Sequence, residues 1–147
     1  MPATPETCAR EILETVPLVM AAIRSEMRRI RGSDLTIPQF RTLLYIGRKP
    51  ESSLSRVADH IGLTLPSMSK LVDGLVDRGL VRRVESRDDR RRVALSLTRE
   101  GADLVRRVRA AGRRSIARRL SPLPQEARGE MLRAMQALRG LFEEDRA

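Results

Sequence analysis

From Ile12 onward apolar residues recur at three- and four-residue steps, through Val16, Val19, Ile23 and Met27 to Ile30. That spacing gathers side chains on one face of a helix. Thr4-Pro5-Glu6 supplies a start, with Thr4 as N-cap and Pro5 in the first turn. The pattern therefore predicts a long amphipathic helix, kinked or restarted at Pro17 and stopped by Gly32-Ser33-Asp34. Thr36-Ile37-Pro38-Gln39 is a capping box, Thr followed three residues later by Gln, and opens a second helix carrying Phe40, Leu43 and Leu44. Gly47 to Ser53 reads as a polar break.

The densest patterning follows. SLSRVADHIG places Leu54, Val57, Ala58 and Ile61 on one face and ends at Gly62, a natural left-handed cap. A new helix then starts with Thr64 as N-cap and Pro66 in its first turn. Its inward stripe is Met68, Leu71, Val72 and Leu75, so Leu65, Ser67, Ser69, Lys70 and Asp73 point away from it. Gly79 ends that helix. Two short segments come next, Leu80 to Glu85 and Arg92 to Leu97, the latter with Val93, Leu95 and Leu97 at period two. They predict a β-hairpin whose tip carries DDRRR. Thr98-Arg99-Glu100-Gly101 caps a helix with Leu104, Val105, Val108, Ala111, Gly112 and Ile116 inward and eight arginines from Arg99 to Arg119 distributed mainly around it. Ser121-Pro122-Leu123-Pro124 breaks it, and a last helix aligns Ala127, Met131, Met135, Leu138 and Phe142. The first and last helices carry more apolar surface than one short chain covers, which calls for a partner, most simply a second copy.

Composition narrows the class. A chain of 147 residues, 41% hydrophobic and 33% charged, is an ordinary soluble globular protein with a real core. No apolar run approaches the roughly 20 residues of a membrane span, and the N-terminus has no basic region followed by an apolar one, so the expected compartment is the cytoplasm. One cysteine excludes an internal disulfide framework, and one histidine leaves too few soft ligands for structural zinc. No cofactor is expected. Neither a Ser/His/Asp set nor a phosphate-binding glycine loop nor a paired-carboxylate motif occurs, which argues against an enzyme. The net charge of +10 and pI near 11.4 point instead to a polyanion. Nucleic acid comes before membrane, and aromatic content of 2% argues against single-strand binding on stacking platforms, leaving double-stranded DNA as the expected partner once a duplex-reading motif is found.

Two short helices across a three- or four-residue turn form a helix-turn-helix, whose second helix lies in the major groove. Ser67 and Ser69 suit base edges or phosphates, Lys70 a phosphate or a guanine edge, and Thr64 with the first-turn N–H groups a phosphate oxygen; Pro66 belongs to the same turn. A charged run such as the hairpin tip is ordinarily a solvated turn. Directly after a helix-turn-helix, however, it would extend along the duplex toward the minor groove, where arginine is favoured.

The order helix, capped helix-turn-helix, Gly-Leu-Val-Arg-Arg, acidic-basic loop and Leu-Thr-x-x-Gly resembles the MarR family of bacterial transcription regulators over nearly the whole chain. Asp89-Arg90-Arg91 is similar to the family's Asp-x-Arg wing tip, and Leu97-Thr98-Arg99-Glu100-Gly101 to the motif that follows it. The resemblance implies a homodimeric winged helix-turn-helix repressor, less often an activator. It implies Arg91 in the minor groove, Asp89 bracing the wing or its arginine, and Thr64, Ser67, Ser69 and Lys70 facing the major groove. Arg87, Arg90 and Arg92 complete the DNA-facing set; Asp88 is either a brace or a solvated turn residue.

The expected architecture is mainly α with a small β-hairpin wing: residues 37–98 as the winged helix-turn-helix, and residues 1–36 and 99–147 as a helical dimerisation region. Within the reader, the reading head runs from about Ser53 to Leu97. Such regulators commonly release DNA on binding a small aromatic or phenolic anion, or on cysteine oxidation. For the first, Met20, Arg24, Met27 and Phe40 are the candidate pocket residues, although the Met and Phe positions read more readily as core. For the second, Cys8 sits in a helix's first turn, where a thiol is accessible and its thiolate stabilised. The peroxide-sensing branch, by resemblance, pairs such a cysteine with tyrosines at the next helix start; here Ile37 and Phe40 stand there, and the one tyrosine is Tyr45. His60 is a surface residue before it is a metal ligand or pH sensor. The chief alternative is a sequence-tolerant architectural DNA binder at the nucleoid.

Overall fold

The computed structural model describes residues 1–31, 35–85 and 93–143. Its elements, in chain order, are α1 (Pro5–Arg31), α2 (Ile37–Arg48), β1 (Ser52–Ser53), α3 (Leu54–Ile61), α4 (Leu65–Asp77), β2 (Val81–Glu85), β3 (Val93–Leu97), α5 (Arg99–Leu120) and α6 (Gln125–Glu143). The fold is the expected mostly helical winged helix-turn-helix. It divides into two compact units, Met1–Gly112 and Arg113–Ala147.

In the first unit one core joins Met27 and Leu35 to Phe40, Leu43 and Ile46 of α2, Val57 and Ala58 of α3, Met68, Val72 and Leu75 of α4, Val81 and Leu95 of the sheet, and Leu104, Val105 and Val108 of α5. The helical stripes read from the sequence supply nearly all of it. Their ends are set by side chains. Thr36 Oγ1 accepts from the Gln39 N–H at 3.2 Å while Gln39 Oε1 accepts from the Thr36 N–H at 2.9 Å, so the predicted capping box closes in both directions.

Two expectations change. Helix α1 is continuous through Pro17 rather than restarted there. The carbonyl of Leu13 loses its N–H donor there, because proline has none to give, and the neighbouring Leu13, Val16 and Leu18 side chains are exposed in the protomer. Only Ile23, Met27 and Ile30 of the α1 stripe pack into the core, whereas Val16 and Val19 are 47% and 41% exposed. The polar break after α2 also contains a strand. Ser52 and Ser53 pair antiparallel with Leu95 and Ala94, giving a three-stranded sheet ordered β1-β3-β2. Two residues carry no periodicity, so this strand exists only through its partner. Beside it, Glu51 adopts a positive φ of 63° and donates its N–H to the Leu95 carbonyl.

In the second unit, α5 ends at Leu120, and the Leu123 N–H donates to the Leu120 carbonyl across the turn into α6. Helix α6 buries none of its residues: Met131, Leu132, Met135 and Phe142 are 41%, 59%, 52% and 62% exposed. Among the described residues, no helix is long and apolar enough to cross a membrane.

Candidate nucleic-acid interface

Ser53 caps α3 by accepting the Arg56 N–H at 3.2 Å. At the other end Gly62 takes φ 85°, and the N–H groups of Gly62 and Leu63 both donate to the Ala58 carbonyl. This left-handed stop turns the chain within three residues into α4, as the glycine predicted. There Thr64 Oγ1 accepts the Ser67 N–H at 3.3 Å and donates to Ser67 Oγ at 3.0 Å. The Thr64 hydroxyl hydrogen is thereby spent on the cap, whereas Ser67 keeps its own for an external acceptor.

Because Met68, Val72 and Leu75 are held in the core, Leu65, Pro66, Ser67 and Lys70 stand exposed on the opposite face, with Ser69 at its margin. Five of the predicted DNA-facing residues, Thr64, Pro66, Ser67, Ser69 and Lys70, are thus brought together at one end of α4. Arg87, Asp89, Arg90, Arg91 and Arg92 lie outside the described residues. The strands that precede and follow them pair antiparallel from Val81↔Leu97 to Glu85↔Val93, so the predicted hairpin forms.

An ion pair that the sequence did not signal joins the two readers: Arg83 of β2 bonds Asp73 of α4. Both side chains are about half exposed, so the pair is worth no more than ~1 kcal/mol. Its effect is orientation, tying the hairpin strand β2 to helix α4. At the tip end of the hairpin, where it pairs with Glu85, Val93 is 44% exposed although it shares the period of Leu95 and Leu97. The short β1 reaches only Ala94 and Leu95, leaving Val93 beyond the covered part of β3. Val93 instead lines an open groove with Ser53, Leu54, Ser55 and Arg56 of the α3 start and Leu65 of α4. Ser55 and Arg56, both exposed, are functional candidates that the sequence reading passed over. The available signal was their place in the first turn of the first helix of the pair.

The candidate ligand residues separate. Met27 and Phe40 are core side chains, 5% and 2% exposed, while Met20 is 41% exposed and Arg24 half-buried, outside that cluster. Cys8 is exposed in the first turn of α1. His60 is partly buried, and its ring stacks on Tyr45 with centroids 4.3 Å apart. Among the described residues no group of His, Cys, Asp and Glu could hold a metal ion.

Comparison with known proteins places this geometry. The sequence profile of the MarR family matches residues 33–92. The transcriptional repressor Rv2887 of Mycobacterium tuberculosis is 31% identical over 104 residues, 71% of this chain and 75% of that protein. The uncharacterized regulator YfiV of Bacillus subtilis is 27% identical over 71% of this chain; the chain spans 66% of YfiV's length and 49% of a second B. subtilis regulator's. Among solved structures, RV1404 from M. tuberculosis superposes with a TM-score of 0.84 at 26% identity, covering 97% of both chains. Rv2887, solved as a complex with salicylic acid, gives 0.61 at 29% identity over 84% of this chain and 93% of that one.

Proposed function

The chain belongs to the MarR family of DNA-binding transcription regulators, and from that premise we propose that it is a ligand-responsive repressor that binds a palindromic operator as a homodimer. The observation that carries this reading is the polar end of α4: Thr64, Ser67 and Lys70 exposed with Ser69 at the margin, beside an antiparallel hairpin whose connecting residues are arginine-rich. Such a face offers hydrogen-bond donors to base edges while the hairpin arginines neutralise phosphate. It acts by binding, in the cytoplasm, without cofactor or catalysis.

The second copy follows from the helices. Leu13 and Leu18 on α1, and separately Leu132, Met135, Leu141 and Phe142 on α6, stand more than half exposed, apolar faces that water disfavours and a two-fold partner would cover. Residues 1–36 and 99–147 form this dimerisation region, residues 37–98 the reader. Two-fold symmetry then asks for half-sites about one helical turn apart. The effector is a small aromatic or phenolic anion, a reading supported by the salicylic acid in Rv2887. Such a ligand releases DNA only if it prefers a dimer whose heads are wrongly spaced for successive grooves.

Selection from a random duplex library at near-physiological salt is the direct test. One enriched palindrome is expected. Salt-sensitive binding without a motif would overturn the repressor reading in favour of a sequence-tolerant binder, which the exposed arginines of α5 would serve. On the selected operator, Ser69→Ala or Lys70→Ala should relax base preference. Arg91→Ala should instead weaken every duplex alike and lower the log–log salt slope by about one. Quantitative titration at three salt concentrations separates the two behaviours.

A further inference from the structure

Leu65 breaks the polar character of the face it occupies. It is the first residue of α4, flanked by Thr64 and Pro66, and remains 50% exposed. The core closes without it. Folding alone would favour a polar residue at such a position, since an apolar group left in water gains nothing. Its neighbours suggest what meets it. The groove it lines combines the apolar side chains of Leu54, Leu65 and Val93 with Ser53, Ser55 and the exposed Arg56.

We propose that Leu65 reads the 5-methyl group of a thymine in each operator half-site, with Ser55 and Arg56 holding the adjoining phosphates. Among the four bases only thymine presents an apolar group in the major groove. Hydroxyl and guanidinium groups complement the anionic backbone that borders each base, so this mixed lining matches a methyl beside phosphates. The Thr64 hydroxyl, occupied by the cap, leaves Leu65 as the large side chain at the leading tip of the helix. This assignment rests on the DNA-binding reading above and names one determinant of its specificity.

The test replaces each thymine of the selected operator in turn by deoxyuridine, which removes the methyl and keeps every hydrogen-bonding group. At one position per half-site the wild-type protein should bind about fourfold more weakly, the effect of one buried methyl. Leu65→Ala should bind the thymine operator more weakly and be indifferent to the same replacement, with an unchanged salt slope. Alanine is favourable in a first helical turn, so folding is retained. The proposal is overturned if no single replacement changes wild-type affinity, if Leu65→Ala keeps full sensitivity, or if the operator contains no thymine. In each of those cases an operator has been found and the regulator reading stands. Failure to enrich any operator would instead remove that reading, and this assignment with it.

Discussion

Replacing Gly101 with alanine should destabilise the protein by about 3 kcal/mol or more, with a fall in melting temperature of roughly 10 °C for a chain of this size. A methyl on the Gly101 Cα would overlap the carbonyl oxygen of Leu80 and stand 3.0 Å from its carbon. Both obstacles are backbone, so no rotamer change relieves them. Nor can the first turn of α5 move aside: the Thr98 N–H donates to that same Leu80 carbonyl at 3.1 Å, and Thr98 Oγ1 accepts the Gly101 N–H at 3.1 Å while donating to the Gly79 carbonyl. Gly62→Ala is the instructive contrast. Gly62 has φ 85° but open space around its Cα. Its replacement should therefore cost only about 1 kcal/mol of left-handed backbone strain. Urea unfolding of both variants by circular dichroism checks the order. A Gly101→Ala protein within 1 kcal/mol of wild type would mean that α5 does not start against Leu80 as described.

Met135→Glu should turn the dimer into monomers and weaken operator binding by a hundredfold or more. In an isolated protomer this side chain is 52% exposed, so a carboxylate there stays hydrated and leaves the fold intact. At a two-fold interface through α6, two carboxylates would be buried, at an effective penalty of several kcal/mol per ion. Losing the second head removes the avidity that linking two half-site contacts provides, typically a factor of 10² to 10⁴. Sedimentation velocity and operator titration read the two consequences independently. An unchanged dimer with unchanged affinity would exclude Met135 from the interface and require the apolar face of α6 to be covered in some other way.

Much of this molecule is legible in its sequence because the signals are local. Each cap is an interaction across three residues: Thr36 with Gln39, Ser53 with Arg56, Thr64 with Ser67, Thr98 with Gly101. Helical periodicity likewise needs only one turn of neighbours to show which side of α2, α3 and α4 is buried. Those two signals are enough to recover the helix-turn-helix and the polar end of α4, and the period-two spacing of Val93, Leu95 and Leu97 adds the hairpin. The candidate ligand residues were less legible, since a Met or Phe at helical spacing has the same pattern whether it lines a cavity or fills a core.

By itself, then, the sequence determined the order of the helices and of the two hairpin strands, their caps, the polar face at the start of α4 and the excess of positive charge. Tertiary structure alone decided that Ser52 and Ser53 form a strand, that Val93 and Leu65 share a groove, that Arg83 bonds Asp73, and that only the later part of the α1 stripe enters the core. It also supplied the reason for Gly101: the Leu80 carbonyl, 21 positions earlier, occupies the space where a side chain would go. Each of these depends on atoms distant in the chain meeting in space. Neither periodicity nor capping chemistry encodes such meetings, because both act within a few residues.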